Sequence, residues 1–432
     1  MRETLINNFL RISKIPRMSG NEKQISDFFV EVAKNNHLDF FQDSNYNVLI
    51  KKKGNIKGDS IAFQSHLDMV CVKKESSNHD FSKGIDVIID GDKVTAKDTS
   101  LGADQGVGLA LMLTLIEDNT LKHPDLEFLF TVEEETTFKG ALTFPYDKVV
   151  SRKMINLDFC EDDGTIVSSA GDNVSEYVYE GTLSKKNLNS YKLKIDGLIG
   201  GNSGIDIEKS RNNAIINMIS ILSNKNIYLC SINGGTFEND IATSCEAVVQ
   251  SESDLTKEIS NIKVEQVENS ESFSLEDTKN IINEILAMKS GFITETASAN
   301  LGTTKTDNNK VIVTYLFRST IKSELEEISN NLNNLKYNFK INNLYTDNIW
   351  KINENSLMLK KYKETYFKLF KENPRESIIQ GGVEISAIQE KLDNLDLISI
   401  GANMQNFHTI NEVTYISSWE KIYNILINII SD

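Results

Sequence analysis

At 432 residues, with 40% hydrophobic and 25% charged side chains, the chain is long enough for two domains and too apolar for global disorder. A formal net charge of −16 argues against nucleic acid or an anionic membrane surface as partner, and reads first as solubility. No apolar run approaches the ~20 residues of a bilayer span, and the four cysteines (Cys71, Cys160, Cys230, Cys245) form no C-x-x-C pair, which points to reduced thiols in the cytoplasm.

Residues 1–15 mix Arg2, Glu3 and Arg11 with apolar positions at helical spacing and lack a signal-peptide core, so a first helix is expected there. Ile25, Phe28, Phe29, Val32 and Ala33 predict a second helix over 21–36. Strand-like runs follow at 46–50 and 61–64. Residues 105–116, almost wholly apolar and small, read as a buried helix, and 125–131 and 154–157 as further strands. Strands alternating with helices define an α/β class with a mostly parallel sheet.

Around 181–189 the texture changes. A strand at 191–195, a Gly-rich turn, a helix at 212–222 and a strand at 227–232 are followed by a second pass of similar type, with a strand at 310–317 and a helix at 322–335. The internal similarity is too weak to define a repeat. A helix at 357–370, a glycine turn at Gly381–Gly382, a strand at 397–401 and an amphipathic helix at 417–430 resume the first pattern. The expected organisation is a catalytic domain in two parts, 1–183 and 353–432, with an α+β lid and dimerisation domain inserted at 184–352.

The chemistry lies at the strand ends. His66 and Asp68 follow the run 61–64, Glu133, Glu134 and Glu135 follow 125–131, and Asp158 closes 154–157. Asp104 sits in the loop Leu101-Gly102-Ala103-Asp104 that enters the apolar helix. In an open α/β sheet the carboxyl ends of parallel strands converge on one crevice. Acids gathered there repel one another unless cations lie between them. Taken singly, Asp104 reads equally as a helix N-cap, Asp158 as a turn residue and the three glutamates as a charge run. A mixed set of imidazole and carboxylate favours Zn²⁺, with Mn²⁺ and Co²⁺ open. A shared Asp suits two ions ~3.5–4 Å apart.

In order and spacing these residues resemble the aminoacyl-histidine dipeptidase (Xaa-His dipeptidase, peptidase D) branch of the dinuclear zinc metallopeptidases, over nearly the whole chain. The resemblance rests on His66-Leu67-Asp68-Met69-Val70-Cys71, His79-Asp80-Phe81, Leu101 to Asp104, Thr131 to Glu135 and Asn156-Leu157-Asp158. Asn233-Gly234-Gly235-Thr236 and the closing Ile400-Gly401, His408 and Glu412 complete it. It implies a zinc-peptidase catalytic domain that cleaves dipeptides, Xaa-His types among them, with a water bridging two divalent ions. Carried over by position, His66 and Asp158 would bind one ion, Glu135 and His408 the other, and Asp104 both. Asp68 would orient His66, Glu134 would be the general base, and Glu133 would be surface charge.

Two departures stand out. Gly200-Gly201-Asn202-Ser203-Gly204 replaces the family's G-G-H-S-G, whose His is assigned to the oxyanion, and Gln380 to Ser386 replaces H-A-G-L-E-C-G. The five histidines (His37, His66, His79, His123, His408) leave none near either motif. Asn202 and Gln380 are amide donors suited to the lost roles. Asn300 and Arg318 match lid positions, Arg318 suiting a substrate carboxylate, and Glu384 suits a substrate amine. Cys71 and Cys160 are expected to be small packing residues. Alternatives are an N-acyl amino acid amidohydrolase on the same site, or a weakened paralogue acting as a binding or structural dimer. Relatives imply a homodimer.

Overall fold

Four short strands, Ile61–His66, Leu126–Thr131, Lys153–Asn156 and Asp396–Ser399, run parallel, in the order 126–131, 61–66, 153–156, 396–399 across the sheet. They are buried almost throughout, as strands covered on both faces must be. The computed structural model to which they belong describes residues 1–204, 206–209, 211–332, 339–346, 349–379 and 381–431. Gln380 therefore lies outside the described residues. The strands Val48–Lys52 and Asp39–Gln42 extend one side antiparallel, and Gly164–Ser169 the other, so the sheet is mixed, parallel at its centre and antiparallel at its flanks.

This sheet belongs to a unit made of Met1–Ser168, Lys351–Ile378 and Val383–Asp432. Its helices include Arg2–Ser13, Lys23–Asn35, Ala103–Glu117, Leu357–Phe370 and Ile416–Ser431. In Ala103–Glu117 every residue from Ala103 to Ile116 is buried. Each fully buried leucine contributes roughly 1.5–3 kcal/mol, so Leu109, Leu111, Leu113 and Leu115 fix this helix firmly in the core. Regular helical geometry begins only beyond Asp104 and Gln105, whose ψ angles are 109° and 36°.

The second unit is Ser169–Trp350 with Ile379–Gly382. Its main sheet is antiparallel throughout: Gly171–Glu180 pairs with Lys310–Ser319 and Lys340–Thr346, Lys310–Ser319 pairs with Ala297–Asp307, and Asn189–Ile195 pairs with Cys245–Ser251. The helices Ala214–Ser223 and Leu275–Ala287 pack together on it. Their apolar faces, Ile215, Met218, Ile219, Ile281 and Ile285, join Leu193, Val249 and Val313 in a separate core. The helix expected at 322–335 runs from Lys322 to Leu332, and 333–335 lie outside the described residues. No helix among the described residues is long and apolar enough to cross a membrane.

Candidate metal centre

The parallel strands end level with one another, which carries their next residues to one edge. Thr131 pairs with His66, and Asn156 pairs with both Gln64 and Ser399. Beneath that edge a polar network crosses the four strands. Ser399 Oγ donates to Asn156 Oδ1 at 2.5 Å, Asn156 Nδ2 to Gln64 Oε1 at 2.6 Å, and Gln64 Nε2 to Glu384 Oε2 at 2.6 Å. Thr131 Oγ1 also donates to Glu384 Oε2, at 2.8 Å. Glu384 Oε1 is buried with no hydrogen-bond partner, and burial pushes this carboxyl up to about 8.

Above the network, His66, Asp104, Glu134, Glu135, Asp158 and His408 come together. Asp104 directs one carboxylate oxygen to each imidazole: Oδ1 lies 3.2 Å from His66 Nε2 and Oδ2 3.3 Å from His408 Nε2. Asp158 Oδ1 is 3.6 Å from His66 Nε2, and Glu135 Oε2 is 2.9 Å from His408 Nε2. Among the described residues, ligand atoms within 4.8 Å of one another form three groups: His66–Asp104–Asp158, Asp104–Glu135–His408 and His66–Glu134–Glu135. Asp104 belongs to the first two. Glu134 stands slightly back, its Oε2 3.9 Å from His66 Nε2.

Without a cation the groups compensate one another with protons. Burial pushes Glu135 up to about 7, with Asp104 adding to the shift. Burial alone would pull His408 down, but Glu135 and Asp104 outweigh it and carry it to about 11. Asp104 is held well below the carboxylate range because His408 and His66 overcome its burial. Leaving one member of a buried ion pair uncompensated costs about 3–5 kcal/mol. A buried cluster richer in carboxylates than in imidazoles therefore fits divalent cations, and the donor set suits them.

The backbone around the cluster is tied down by neighbouring residues that are not themselves candidate ligands. Glu412, buried, accepts from the N–H groups of Leu101, Gly102, Ala103 and Asp104 at 2.7–3.3 Å, gripping the Asp104 loop. Gly102 has φ +67°, and a Cβ there would lie 2.6 Å from Arg17 Nη2 and 2.7 Å from Met69 Sδ, so glycine is favoured. Gln105 donates to Asp158 Oδ1. Glu133, with φ +54°, turns the chain and pairs with exposed Lys139 at 2.7 Å.

Asp68, expected to orient His66, also holds the backbone that follows the neighbouring strand. Its Oδ1 lies 3.3 Å from His66 Nδ1, without hydrogen-bond geometry. Its two oxygens also accept from the N–H groups of Glu134 (3.1 Å) and Glu135 (3.2 Å) and from Ser19 Oγ (2.7 Å). An asparagine there has one acceptor oxygen for these donors. Asp68→Asn is expected to lower metal affinity and kcat/KM together by ~10–100-fold, read by chelator competition and steady-state kinetics. A silent variant would reduce Asp68 to an ordinary turn acid.

The candidates of the second unit form their own cluster. Arg318 is buried: Nε lies 3.0 Å from Asp172 Oδ1, and Nη1 donates to Ser203 Oγ at 2.7 Å. Asn300 Nδ2 donates to the carbonyls of Glu238 and Asp240, while its buried Oδ1 has no partner. Asn202 Oδ1 accepts from Gly204 N at 2.7 Å, and residue 202 bridges to Asp240. Segments 200–204 and 238–241 thus join all three. Cys71 and Cys160 are free and partly buried, and burial raises both thiols.

A parallel sheet edge that gathers two histidines and four carboxylates offers a donor set suited to divalent cations. The chain belongs to peptidase family M20/M25/M40, whose model matches residues 62–432. It is 27% identical to the cytosol non-specific dipeptidase of Escherichia coli (strain K12), over 98% of this chain and 96% of that protein. It is 26% identical to the aminoacylhistidine dipeptidase of Vibrio alginolyticus, with a TM-score of 0.77 covering 99% of this chain and 96% of that one. Aminopeptidase PepT of Bacillus cereus ATCC 10987, 16% identical at a TM-score of 0.66 over 100% and 98% of the two chains, shares the fold.

Proposed function

We propose that this peptidase hydrolyses dipeptides with a free amino terminus, Xaa-His dipeptides among them, with two divalent ions. The observation that carries the reading is Asp104, one oxygen of which faces each histidine–carboxylate group. The names of the Escherichia coli and Vibrio alginolyticus relatives support the substrate class. His66 and Asp158 would hold one ion, Glu135 and His408 the other, and Asp104 both. Zn²⁺ is preferred, with Mn²⁺ and Co²⁺ as alternatives. When bound, the ions supply Lewis acidity toward the scissile carbonyl and ease deprotonation of water.

Glu134 takes the proton of the attacking water and returns it to the leaving amine. Burial holds its carboxyl well above the usual range in the metal-free protein, and neighbouring dications would favour the ionised form that a base needs. Asp68 positions His66 and the backbone of Glu134 and Glu135. Glu384 Oε1, buried and without a partner, accepts from the substrate's ammonium. Asn202, Asn300, Arg318 and Gln380 are assigned to substrate binding on side-chain chemistry alone; Arg318 would share its charge between Asp172 and a substrate carboxylate. Residence in the cytoplasm, supported by four free cysteines and the relative's name, and a homodimer complete the reading.

The test is a panel of dipeptides, their N-acetylated counterparts and tripeptides, run beside metal analysis. Cleavage of free dipeptides, with the acetylated forms slower by ~10²-fold or more through the unpaired Glu384, is the expected result. Faster cleavage of the acetylated forms would make the chain an N-acyl amino acid hydrolase instead.

A further inference from the structure

The stretch between the first two helices, residues 14–22, has no regular structure, yet two of its charged side chains are almost wholly buried: Arg17 is 2% and Glu22 3% exposed. Their bonds go to the loops that carry the candidate ligands. Arg17 Nη1 donates to the carbonyls of Leu67 (3.2 Å) and Asp68 (2.5 Å), and Nη2 to the carbonyl of Gly102. Arg17's own carbonyl accepts from Met69 N at 3.0 Å. Ser19 Oγ donates to Asp68 Oδ2. Glu22 Oε1 accepts from Gly20 N at 2.9 Å, which shapes the segment, and from Glu133 N at 3.0 Å.

We propose that residues 17–22 form a brace that sets the spacing of three ligand-bearing loops, 66–69, 101–104 and 133–135, and thereby the affinity of the centre for its ions. Arg17, Ser19 and Glu22 are its positioning residues. The proposal rests on the two-ion reading above. The brace lies outside the stretch matched by the family model, which begins at residue 62. Its geometry explains why each residue has its type. The planar fork of arginine reaches two loops at once, which a lysine ammonium cannot do with the same fixed angles. The peptide of Gly102 is held from both sides, its carbonyl by Arg17 and its N–H by Glu412. Movement of Arg17 therefore passes directly to the loop of Asp104. Glu22 and Asp68 divide the N–H groups of Glu133, Glu134 and Glu135 between them.

The experiment uses the full chain with Arg17→Lys, Glu22→Gln and the mild Ser19→Ala, which removes one hydroxyl. Zn²⁺ affinity is measured by competition with a chromophoric chelator, and the Co²⁺-substituted proteins are compared by visible absorption. Amide hydrogen exchange is followed on the metal-free proteins. The variants are expected to bind Zn²⁺ ~10–100-fold more weakly, the range for supports that orient metal ligands, and to show altered Co²⁺ spectra. Exchange should quicken in 66–69, 101–104 and 133–135 while Gly171–Glu180 and Lys310–Ser319 stay protected. Wild-type affinity together with unchanged exchange in those loops would overturn the brace. So would faster exchange spread evenly over both units, which marks a merely structural segment. If the wild-type protein takes up no Zn²⁺, Mn²⁺ or Co²⁺, the two-ion reading fails by itself, and the brace stands or falls on loop exchange in the variants.

Discussion

Replacing Glu134 with glutamine is expected to lower kcat by ~10²–10⁴-fold, the usual contribution of a positioned general base, while both ions stay bound. The amide keeps the size of the side chain and leaves the bond from Glu134 N to Asp68 intact, but cannot accept a proton. Its neighbour should behave differently. Glu135 lies 2.9 Å from His408 Nε2 and shares a ligand group with Asp104, so Glu135→Gln is expected to lose metal first and activity as a consequence. Metal analysis after gel filtration, set beside kinetics at saturating Zn²⁺, separates the two. Equal metal loss with equal residual turnover would mean that the roles of these adjacent glutamates have been misassigned.

Complete chelation is expected to lower hydrolysis by at least ~10³-fold, because the polarisation of carbonyl and water goes with the ions, and Zn²⁺, Mn²⁺ or Co²⁺ should restore it. The metal-free protein should also become sensitive to alkali. Glu135 and Glu384 have folded values near 7 and 8, above the ordinary 4.5, chiefly through burial. His408 is carried to about 11 from 6.5. For a group whose value is raised by folding, the stabilisation is complete below the unfolded value and is lost as pH climbs through the folded one. The Tm of the chelated protein should therefore fall between pH 6 and 9. Bound cations take the place of those protons, so the loaded protein should lose less, and metal uptake should release protons. Thermal scans at the two pH values, with and without chelator, give the comparison. Parallel Tm curves would show that protons and ions do not compete for this centre.

Much of this centre was legible because its residues sit at strand ends. Where apolar β-branched or aromatic runs break into His or acid, as at Phe63 to His66 and Ile155 to Asp158, sequence alone marks both the strand and the turn of chemistry. The mixed character of the sheet was harder to read, since its antiparallel flanks have the same short buried patterns as its parallel centre. The strand Gly171–Glu180 escaped because Asp172, Asn173 and Ser175 are buried in it, and polar residues in a run ordinarily signal a loop. Ala297–Asp307, small and polar, escaped for the same reason. Arg17, Glu22 and Gln64 gave no local signal at all. A buried arginine or glutamine has the same letter as an exposed one, and its partners lie 50 or more positions away along the chain for Arg17 and 67 or more for Gln64's bonds to Thr131 and Glu384.

The first unit is drawn from three separated stretches of chain, and this sets an order of events during synthesis. Chains emerge from the ribosome amino end first, and domains fold as units as they become available. Ser169–Trp350 is continuous, so the second unit can close nearly all of its antiparallel sheet while the strand Asp396–Ser399 has yet to be made. His66, Asp104, Glu135 and Asp158 are then already present, but His408 and the clamp supplied by Glu412 are not. A nascent or prematurely terminated chain thus carries four of the five candidate ligands, and the second group lacks its histidine. Products truncated before Glu412 are expected to bind divalent ions more weakly than the full chain and to leave peptides uncleaved.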